Sequence, residues 1–305
     1  MTLSQEPGES TWHNVEVLRT WDEIEQHHKG YAGTASDRDC YWIFRGDRAQ
    51  GTLETKLERA FTDYGVPRSR KREHEMEMIR EFQRKAWMYL EREPEKDDVL
   101  EWLALMRHYG APTRLIDWTY SFYVAVHFAL ADDVEGAVWA FNAAAVNRSD
   151  PARQAIAEAG GGQQLSELHR RLVGMDNVLT VRQQWGKLAD LAIASYLLLT
   201  EHPIPLVVAV NPFRLNRRLI IQQGLFLISG DVRRPFVENL RHSYRDDDAA
   251  IRARLCKIVL RPEKAERNRI LRALRSMNIS TEVLFPDLSG FARSLTQRLA
   301  YAETY

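Results

Sequence analysis

Residues 108–119 read His-Tyr-Gly-Ala-Pro-Thr-Arg-Leu-Ile-Asp-Trp-Thr, and the most informative features of the chain are arranged around this stretch. It brings a histidine, an arginine, an aspartate and two threonines close together in sequence. Gly110 and Pro112 interrupt it, which favours a shaped turn over a continuous helix. Apolar segments flank it on both sides, and the second of them runs from Phe122 to Leu130. Polar side chains crowded into such a turn either fix the fold or line a site.

Short apolar runs and amphipathic segments are mixed along the chain. Strands are predicted where the apolar runs are short and bounded by Gly, Pro or Asn, at 40–44, 136–142, 206–210, 224–229, 255–260 and 281–284. Helices are predicted at 21–28, 73–91, 98–107, 122–131 and 263–277, and from Pro286 onwards. Strands and helices do not alternate strictly, so we expect an α+β fold with mixed small sheets flanked by helices.

The overall charge is balanced, with 42 basic and 42 acidic residues, so no global field attracts nucleic acid or membrane. Residues 214–275 are locally basic, with 16 Arg and Lys against 7 Asp and Glu. Acidic residues interrupt this region at 246–248, 263 and 266. We therefore expect it to be mostly a solvated helix surface, on which nucleic-acid binding is weak and salt-sensitive.

Several classes of protein do not fit the composition. The longest apolar runs are shorter than a membrane span, and residues 1–11 lack the apolar core of a signal peptide. Cys40 and Cys256 lie in apolar runs, which favours reduced, buried thiols. No Cys and His cluster has zinc spacing. We expect a cytoplasmic protein without a metal site.

The first candidate for a ligand site is the triplet Phe44-Arg45-Gly46, which follows an apolar run. Arg45 is suited to grip a phosphate or carboxylate with its planar guanidinium, and Gly46 allows close approach to the backbone. The alternative is that Arg45 pairs with an internal acid and Gly46 sits in a turn.

Two further clusters offer polar groups. In the stretch 108–119, His108 or Arg114 can bind a ligand, Asp117 can orient either of them, and Thr119 offers a hydroxyl. The alternative is structural: Asp117 caps the following helix and pairs with Arg114, while Trp118 fills the core. Further along, Gln222 and Gln223 lie between two apolar runs and need hydrogen-bond partners if buried. We expect Arg45, His108, Thr119 and one of these glutamines to converge in space.

Taken together, these motifs resemble the FRG domain family, which is named for its aromatic-Arg-Gly triplet. The resemblance rests on Phe44-Arg45-Gly46, on the block from His108 to Thr119 with Ala125, Phe128 and Ala129, on Gln222-Gln223-Gly224-Leu225-Phe226, and on Leu284 to Gly290. We expect residues 1–14 to form a flexible tail, and the resemblance implies a single FRG-type domain over 15–305. Within that domain we expect a helical insertion around 143–200 and a C-terminal strand–helix extension at 255–305.

The motif order of this family resembles that of ADP-ribosyltransferases, which implies a similar core and NAD as substrate. On that scheme Arg45 grips NAD, Thr119 supports the nicotinamide pocket, and Gln222 or Gln223 stands where those enzymes usually carry a glutamate. A glutamine can donate and accept hydrogen bonds but lacks the negative charge of a glutamate. His108 completes the implied catalytic set, and the implied NAD-binding residues are Arg45, Gly46, Arg114, Trp118 and Tyr123.

The resemblance implies a bacterial toxin or anti-phage, antiviral defence effector with a nucleotide site. Such a protein transfers ADP-ribose to a macromolecular acceptor or cleaves NAD. One alternative is a non-catalytic module that senses a nucleotide or a regulatory protein. Another is a nuclease that uses His108 and Asp117 beside the basic region at 214–275.

Overall fold

The computed structural model of this protein describes residues 12–32, 41–131, 135–147, 149–174, 192–212 and 216–298. Within these residues, one mixed sheet of seven strands runs through the molecule. Its strands are β1 (Asn14–Leu18), β2 (Trp42–Arg48), β3 (Leu115–Thr119), β4 (Gly136–Asn142), β5 (Val207–Val210), β6 (Gly224–Ser229) and β7 (Leu255–Leu260). They lie in the order β1-β7-β4-β2-β3-β6-β5, with β1 parallel to β7 and the other pairings antiparallel.

Helices cover both faces of this sheet. In the described parts of the chain they are α1 (Trp21–Ala32), α2 (Lys56–Asp63), α3 (Lys71–Ala86), α4 (Val99–His108), α5 (Phe122–Leu130), α6 (Ala144–Asn147), α7 (Ser149–Glu158), α8 (Gly162–Gly174), α9 (192–199), α10 (Arg217–Ile221), α11 (Phe236–Ser243), α12 (Asp248–Arg252), α13 (Lys264–Ser276), α14 (Thr281–Leu284) and α15 (Leu288–Gln297).

Neighbouring residues of the central strands enter different cores because side chains alternate across a sheet. Phe44 packs with α1, α5 and α13 on one face. Ile43, its neighbour on β2, packs with Trp139 and Phe236 on the other face. The part of the sheet made by β3, β6 and β5 is covered by α3, α4 and α9 on the first face. Both faces of the sheet are therefore buried. Because neither face meets solvent, the central strands are apolar at almost every position.

The sheet is incompletely joined between β2 and β3. β2 pairs with β4 along its whole length, and β3 pairs with β6 along its whole length. Between β2 and β3, however, the described pairing consists of Phe44 opposite Thr119. Beyond that pair the two strands separate, and the gap between them is where the candidate site forms.

The α+β class and the mixed sheet are confirmed, although one large sheet takes the place of several small ones. Three strands have the predicted bounds, β4, β6 and β7. The turn expected over 108–119 is wrong in its second half, because residues 115–119 form β3 and pair with β6. Gly110 does adopt the left-handed conformation, with φ of 85°, so the turn itself lies immediately after α4.

Two further local predictions are wrong. Residues 281–284 form a helix and not a strand. The hydroxyl of Thr281 is hydrogen-bonded to His127 at 3.1 Å and to Gln297 at 2.7 Å, so tertiary contacts outweigh its strand propensity. The last helix begins at Leu288 rather than Pro286, and Asp287 caps it by accepting from the backbone N–H of Gly290.

The domain division stays a prediction. Of the expected tail, residues 1–11 lie outside the described residues, while Trp12 stacks on Trp139 and Asn14 begins β1. The segment 143–200 contains α6 to α9, and residues 175–191 within it lie outside the described residues. Cys40 also lies outside them, and Cys256 is a buried free thiol.

Arg114 lies in the core and not at a ligand site. Both its side chain and that of Glu75 on α3 are 1% exposed, and its Nε donates to Glu75 Oε1 at 2.7 Å. Nη2 donates to the other carboxylate oxygen, and Nη1 donates to the Ser229 carbonyl at 3.1 Å. This buried, fully engaged ion pair ties α3 to the start of β3 and the end of β6, so the expectation that Arg114 binds the cofactor is wrong.

Replacing Arg114 should test this structural role. Arg114→Met leaves Glu75 as a buried, unpaired carboxylate, and we expect the free energy of unfolding to fall by about 3–5 kcal/mol. The double variant Glu75→Leu/Arg114→Met removes both charges and should recover most of that loss. Chemical denaturation measures both. As a control, Arg70→Ala removes an exposed pair with Glu73 and should cost at most about 1 kcal/mol. An Arg114→Met protein as stable as the wild type would contradict the assignment.

Candidate functional site

A cleft opens where β2 and β3 separate. Its floor comes from β2 and β3, one wall comes from α5, and the other comes from α4, α10 and the segment after α14. The cleft has a volume of about 290 Å³. Its polar and aromatic lining includes Arg45, Asp47, Arg48, Arg107, Asp117, Thr119, Phe128, Arg218, Gln222 and Phe285.

A second hollow, here called the side chamber, adjoins the cleft. It has a volume of about 360 Å³ and is bounded by α2, α4 and α10. The two hollows share four lining residues, Arg107, Asp117, Arg218 and Gln222. The side chamber adds Lys56, Arg59, His108, Gly110 and Asn216 among others. Cleft and side chamber are therefore adjacent hollows that meet at these four residues.

Arg45 spans the gap between the separated strands. Its Nη1 donates to the backbone carbonyl of Asp117 at 3.0 Å, and its Nη2 donates to the Asp47 carboxylate at 2.9 Å. The side chain is 14% exposed, and its Nε is buried without a hydrogen-bond partner. Arg45 lies within β2, opposite Trp139, and not at the strand end that the sequence suggested. Its guanidinium is held rigidly, with one N–H still unsatisfied.

Asp117 is the carboxylate at the centre of the site. Arg107, at the end of α4, donates to its Oδ2 from Nε at 2.8 Å and also from Nη2. The side chain is 45% exposed towards the hollows. Burial alone would raise the pKa of Asp117, but the charges of Arg107, Arg45 and Arg218 outweigh this and hold it below its usual value. Asp117 is therefore ionised at neutral pH.

Arg218 differs from Arg45 and Arg107. Among the described residues, its guanidinium makes no hydrogen bond to a carboxylate or carbonyl. It lies over the ring of Phe285, 4.2 Å from the centroid, and Arg293 lies 4.4 Å from the same ring. Burial lowers the pKa of Arg218, Arg293 and Arg107 lower it further, and Asp117 and Asp287 oppose the shift. A partly buried cation that lacks a hydrogen bond to an anion would be stabilised when an anionic ligand binds beside it.

The charge of the whole site is strongly positive. Cleft and side chamber together are lined by six Arg and Lys side chains and two carboxylates. His108, in the side chamber, adds no charge at neutral pH, because burial and the nearby Arg218 lower its pKa despite the opposing effect of Asp287. The excess of cations makes an anion the ligand class that the site favours.

The structure brings the residues of the predicted convergence to these two adjacent hollows. Arg45, Thr119 and Gln222 line the cleft, and His108 lines the side chamber. Two of these have polar groups already engaged within the protein. The Thr119 hydroxyl donates to the backbone carbonyl of Gln222 at 2.6 Å. The side-chain amide nitrogen of Gln222 donates to the backbone carbonyl of Leu284 at 2.9 Å. These bonds fix the wall of the cleft.

The other predicted residues lie elsewhere or act otherwise. Gln223 is exposed, has φ of 49°, and does not line either hollow. Tyr123 stacks on Trp21 of α1, away from the cleft. Trp118 lines the cleft, but its ring packs beside Phe141 in the core on the other face, and the residue is 3% exposed. A stacking role is therefore wrong for Tyr123, and for Trp118 it stays a prediction. The structural alternative for Asp117 is also wrong in detail, because Ser121 caps α5 and Arg107 is the partner of Asp117.

Gly46 has a structural reason to be glycine. A Cβ at this position would overlap the Ala125 carbonyl oxygen and come within 2.7 Å of the Ala129 nitrogen. The close approach of Gly46 is therefore to α5, which forms one wall of the cleft. Gly46 also lines the cleft, and the expectation that it makes room for a ligand stays a prediction.

Sequence reasoning missed Arg107, Arg218 and Phe285. Arg107 immediately precedes His108, and Arg218 lies within the segment that directed attention to the glutamines. Other arginines of the basic region 214–275 form ion pairs at the surface, as expected of a solvated helix surface. Arg269 contacts Asp22 and Glu266, and Arg241 contacts Asp248. Composition does not reveal which arginine of this region turns inward.

Among the described residues, no three His, Cys, Asp or Glu side chains are grouped so that they could hold a metal ion. None of the described helices is long and apolar enough to cross a membrane.

Substitution of Gly46 tests the wall of the cleft. We expect Gly46→Ala to lower the melting temperature markedly, because the new methyl group must displace the backbone of α5. Gly30→Ala is the matched control: Gly30 lies in α1 with open space where its Cβ would be. That change should leave stability equal or raise it by about 0.5–1 kcal/mol. If the two variants have equal melting temperatures, α5 does not lie as close to β2 at Gly46 as it does in this structure.

The comparisons with known proteins agree with the sequence resemblance. A family model of the FRG domain matches residues 41–137. No curated protein and no solved structure matches the chain. The matched segment begins just before β2 and ends within β4, so it contains Arg45, Arg107 and Asp117, whereas Arg218 and Phe285 come from outside it. Over residues 41–137, about a third of its length, this chain is therefore similar to the FRG domain family.

Proposed function

We propose that the cleft binds a phosphate-bearing nucleotide, with NAD as the substrate, and that the protein is a bacterial toxin or anti-phage defence effector. In this role it transfers ADP-ribose to a macromolecular acceptor or hydrolyses NAD. The observation that carries the proposal is Arg218, a partly buried guanidinium without an anionic hydrogen-bond partner among the described residues, beside Arg45 and Arg107. The identity of the nucleotide and the biological role rest on the family resemblance.

The arginines suit a diphosphate. Guanidinium groups present two parallel N–H donors that match phosphate oxygens, and they keep their charge when desolvated better than an ammonium group does. Arg45 and Arg107 are already held in place by Asp47 and Asp117, so little side-chain entropy is lost when a ligand arrives. Arg218 supplies the charge that is not yet compensated. Phe128 and Phe285 border the same cleft. The Phe285 ring is already covered by Arg218 and Arg293, so Phe128 is the ring that offers aromatic surface to the ligand.

Asp117 is the group best placed to assist bond cleavage. In NAD the bond between the nicotinamide nitrogen and C1′ of the ribose breaks, and the electron pair leaves with nicotinamide. Positive charge then develops on the ribose. An ionised carboxylate in the cleft stabilises that charge, and Asp117 remains ionised at neutral pH. Water or a nucleophilic group of the acceptor then bonds to C1′ and loses its proton. Gln222 keeps its amide oxygen to accept from a ligand hydroxyl, since its nitrogen donates to Leu284.

A second candidate is nucleotide binding without turnover, as in a sensing module. It is favoured by the state of the polar groups: Asp117 is neutralised by Arg107, and Thr119 is bonded to Gln222. The nuclease alternative retains one supporting observation, which is that His108 and Asp117 both line the side chamber.

Binding can be tested on Arg218 with a matched neighbour. By calorimetry, Arg218→Ala should weaken NAD binding about tenfold or more, because a charge-assisted hydrogen bond contributes about 1.5–3 kcal/mol. Arg217→Ala removes an exposed arginine from the same helix and should leave the affinity unchanged. Both variants should melt within a few degrees of the wild type. If wild-type protein does not bind NAD, or if the two variants bind it alike, the nucleotide proposal is wrong.

Asp117→Asn separates catalysis from binding. The substitution removes a negative charge beside the bound phosphates, so NAD affinity should rise. If Asp117 stabilises the developing cation, nicotinamide release should fall about a hundredfold or more. The assay incubates pure protein with labelled NAD, with and without cell lysate, and follows nicotinamide release and label transfer. Wild-type protein that binds NAD but releases no nicotinamide under either condition would favour the sensing module.

A further inference from the structure

The two ends of the site differ in chemistry. The cleft end is bordered by Phe128 and Phe285 together with Arg45. The side-chamber end is bordered by Lys56, Arg59 and His108. Arg107 and Arg218 lie between these groups and line both hollows. A ligand that fills the whole site must therefore present an aromatic part at one end and an anionic part at the other, with a central anion between them.

Two of the cations that line the side chamber lie on one face of α2. Lys56 and Arg59 are three residues apart on α2, so their side chains lie on the same side of the helix. The Lys56 Nζ donates to the Gly110 carbonyl, which directs it towards the turn after α4. Arg59 is exposed and acts on Glu54, whose pKa is raised by burial and lowered by Arg59. Asp117 is the one carboxylate among the residues that line the side chamber, and Arg107 already neutralises it.

We propose that the side chamber holds a phosphate group additional to the diphosphate in the cleft. The substrate class is then a dinucleotide phosphorylated on its adenosine ribose, as NADP is, rather than NAD itself. This inference rests on the proposed function. It also sets the direction of binding, with the nicotinamide ring at Phe128 and the phosphorylated adenosine ribose at Lys56, Arg59 and His108.

Charge and size both support this assignment. Six cationic side chains face two carboxylates across the two hollows. The diphosphate alone leaves part of that excess uncompensated, and a phosphate monoester adds a charge of about −1.5 to −2 at pH 7. The hollows of about 290 and 360 Å³ are adjacent, and taken together they have the size of sites that hold small ligands. His108, neutral at neutral pH, can still donate one N–H to a phosphate oxygen.

The test compares NAD with NADP on the full chain by calorimetry. We expect NADP to bind about tenfold more tightly, the effect of one added set of charge-assisted hydrogen bonds. In Lys56→Gln/Arg59→Gln this preference should shrink towards one. Arg84→Gln/Lys85→Gln removes two exposed cations from α3, outside the site, and should keep the preference. The single variant Arg59→Gln, at an exposed position, should lose part of the preference even if the double variant folds poorly.

The outcomes separate this inference from the proposed function. Equal affinity of wild-type protein for NAD and NADP would overturn the inference and leave the NAD site standing. A preference for NADP that survives in both α2 variants would also overturn it, since the extra phosphate would then lie elsewhere. Absence of binding to either dinucleotide would overturn the proposed function as well. Tighter binding of a short single-stranded oligonucleotide than of NADP would assign the row of cations to nucleic acid and overturn the inference.

Discussion

The pairing of Phe44 with Thr119 is the point on which the site depends. It holds β2 and β3 in one sheet, and the strands part immediately beyond it. Had the two strands remained paired along their length, backbone hydrogen bonds would have filled the space that the cleft now occupies. Arg45 instead spans that space and donates to the carbonyl of Asp117. A side chain thus replaces the missing backbone hydrogen bonds, and it brings a positive charge to the floor of the cleft.

The neighbouring contacts keep the separated strands in place. On one side, the absence of a side chain at Gly46 allows α5 to lie directly on β2. On the other, the Thr119 hydroxyl donates to the carbonyl of Gln222, which ties β3 to the turn after α10. Arg107 joins the end of α4 to Asp117. Each wall of the cleft is therefore fixed to the sheet by a contact near the place where the strands diverge, and the arginines between the walls are held apart in spite of their like charges.

The sequence pattern predicted those parts of the fold that depend on local rules. β4, β6 and β7 are short apolar runs that are buried on both faces and bounded by Gly, Pro or Asn, and their bounds were predicted correctly. β3 was missed because Asp117 lies in its middle and aspartate is uncommon in strands. That aspartate is tolerated because the strand beside it has moved away and Arg107 neutralises its charge. Arg114 and Arg218 were misjudged for a related reason: the partner of a long side chain is set by tertiary packing, which the spacing of residues does not encode.

The strand order has a consequence for the family segment taken by itself. Residues 41–137 contain β2, β3 and the first residues of β4, but β6 and β7, which flank them in the sheet, come from later in the chain. A polypeptide cut to that segment would expose one edge of β3 and lose most of β4. Its unpaired N–H and C=O groups would then be open to other chains. The segment that matches the family model is thus shorter than the sheet it belongs to, and an expression fragment trimmed to it is expected to aggregate.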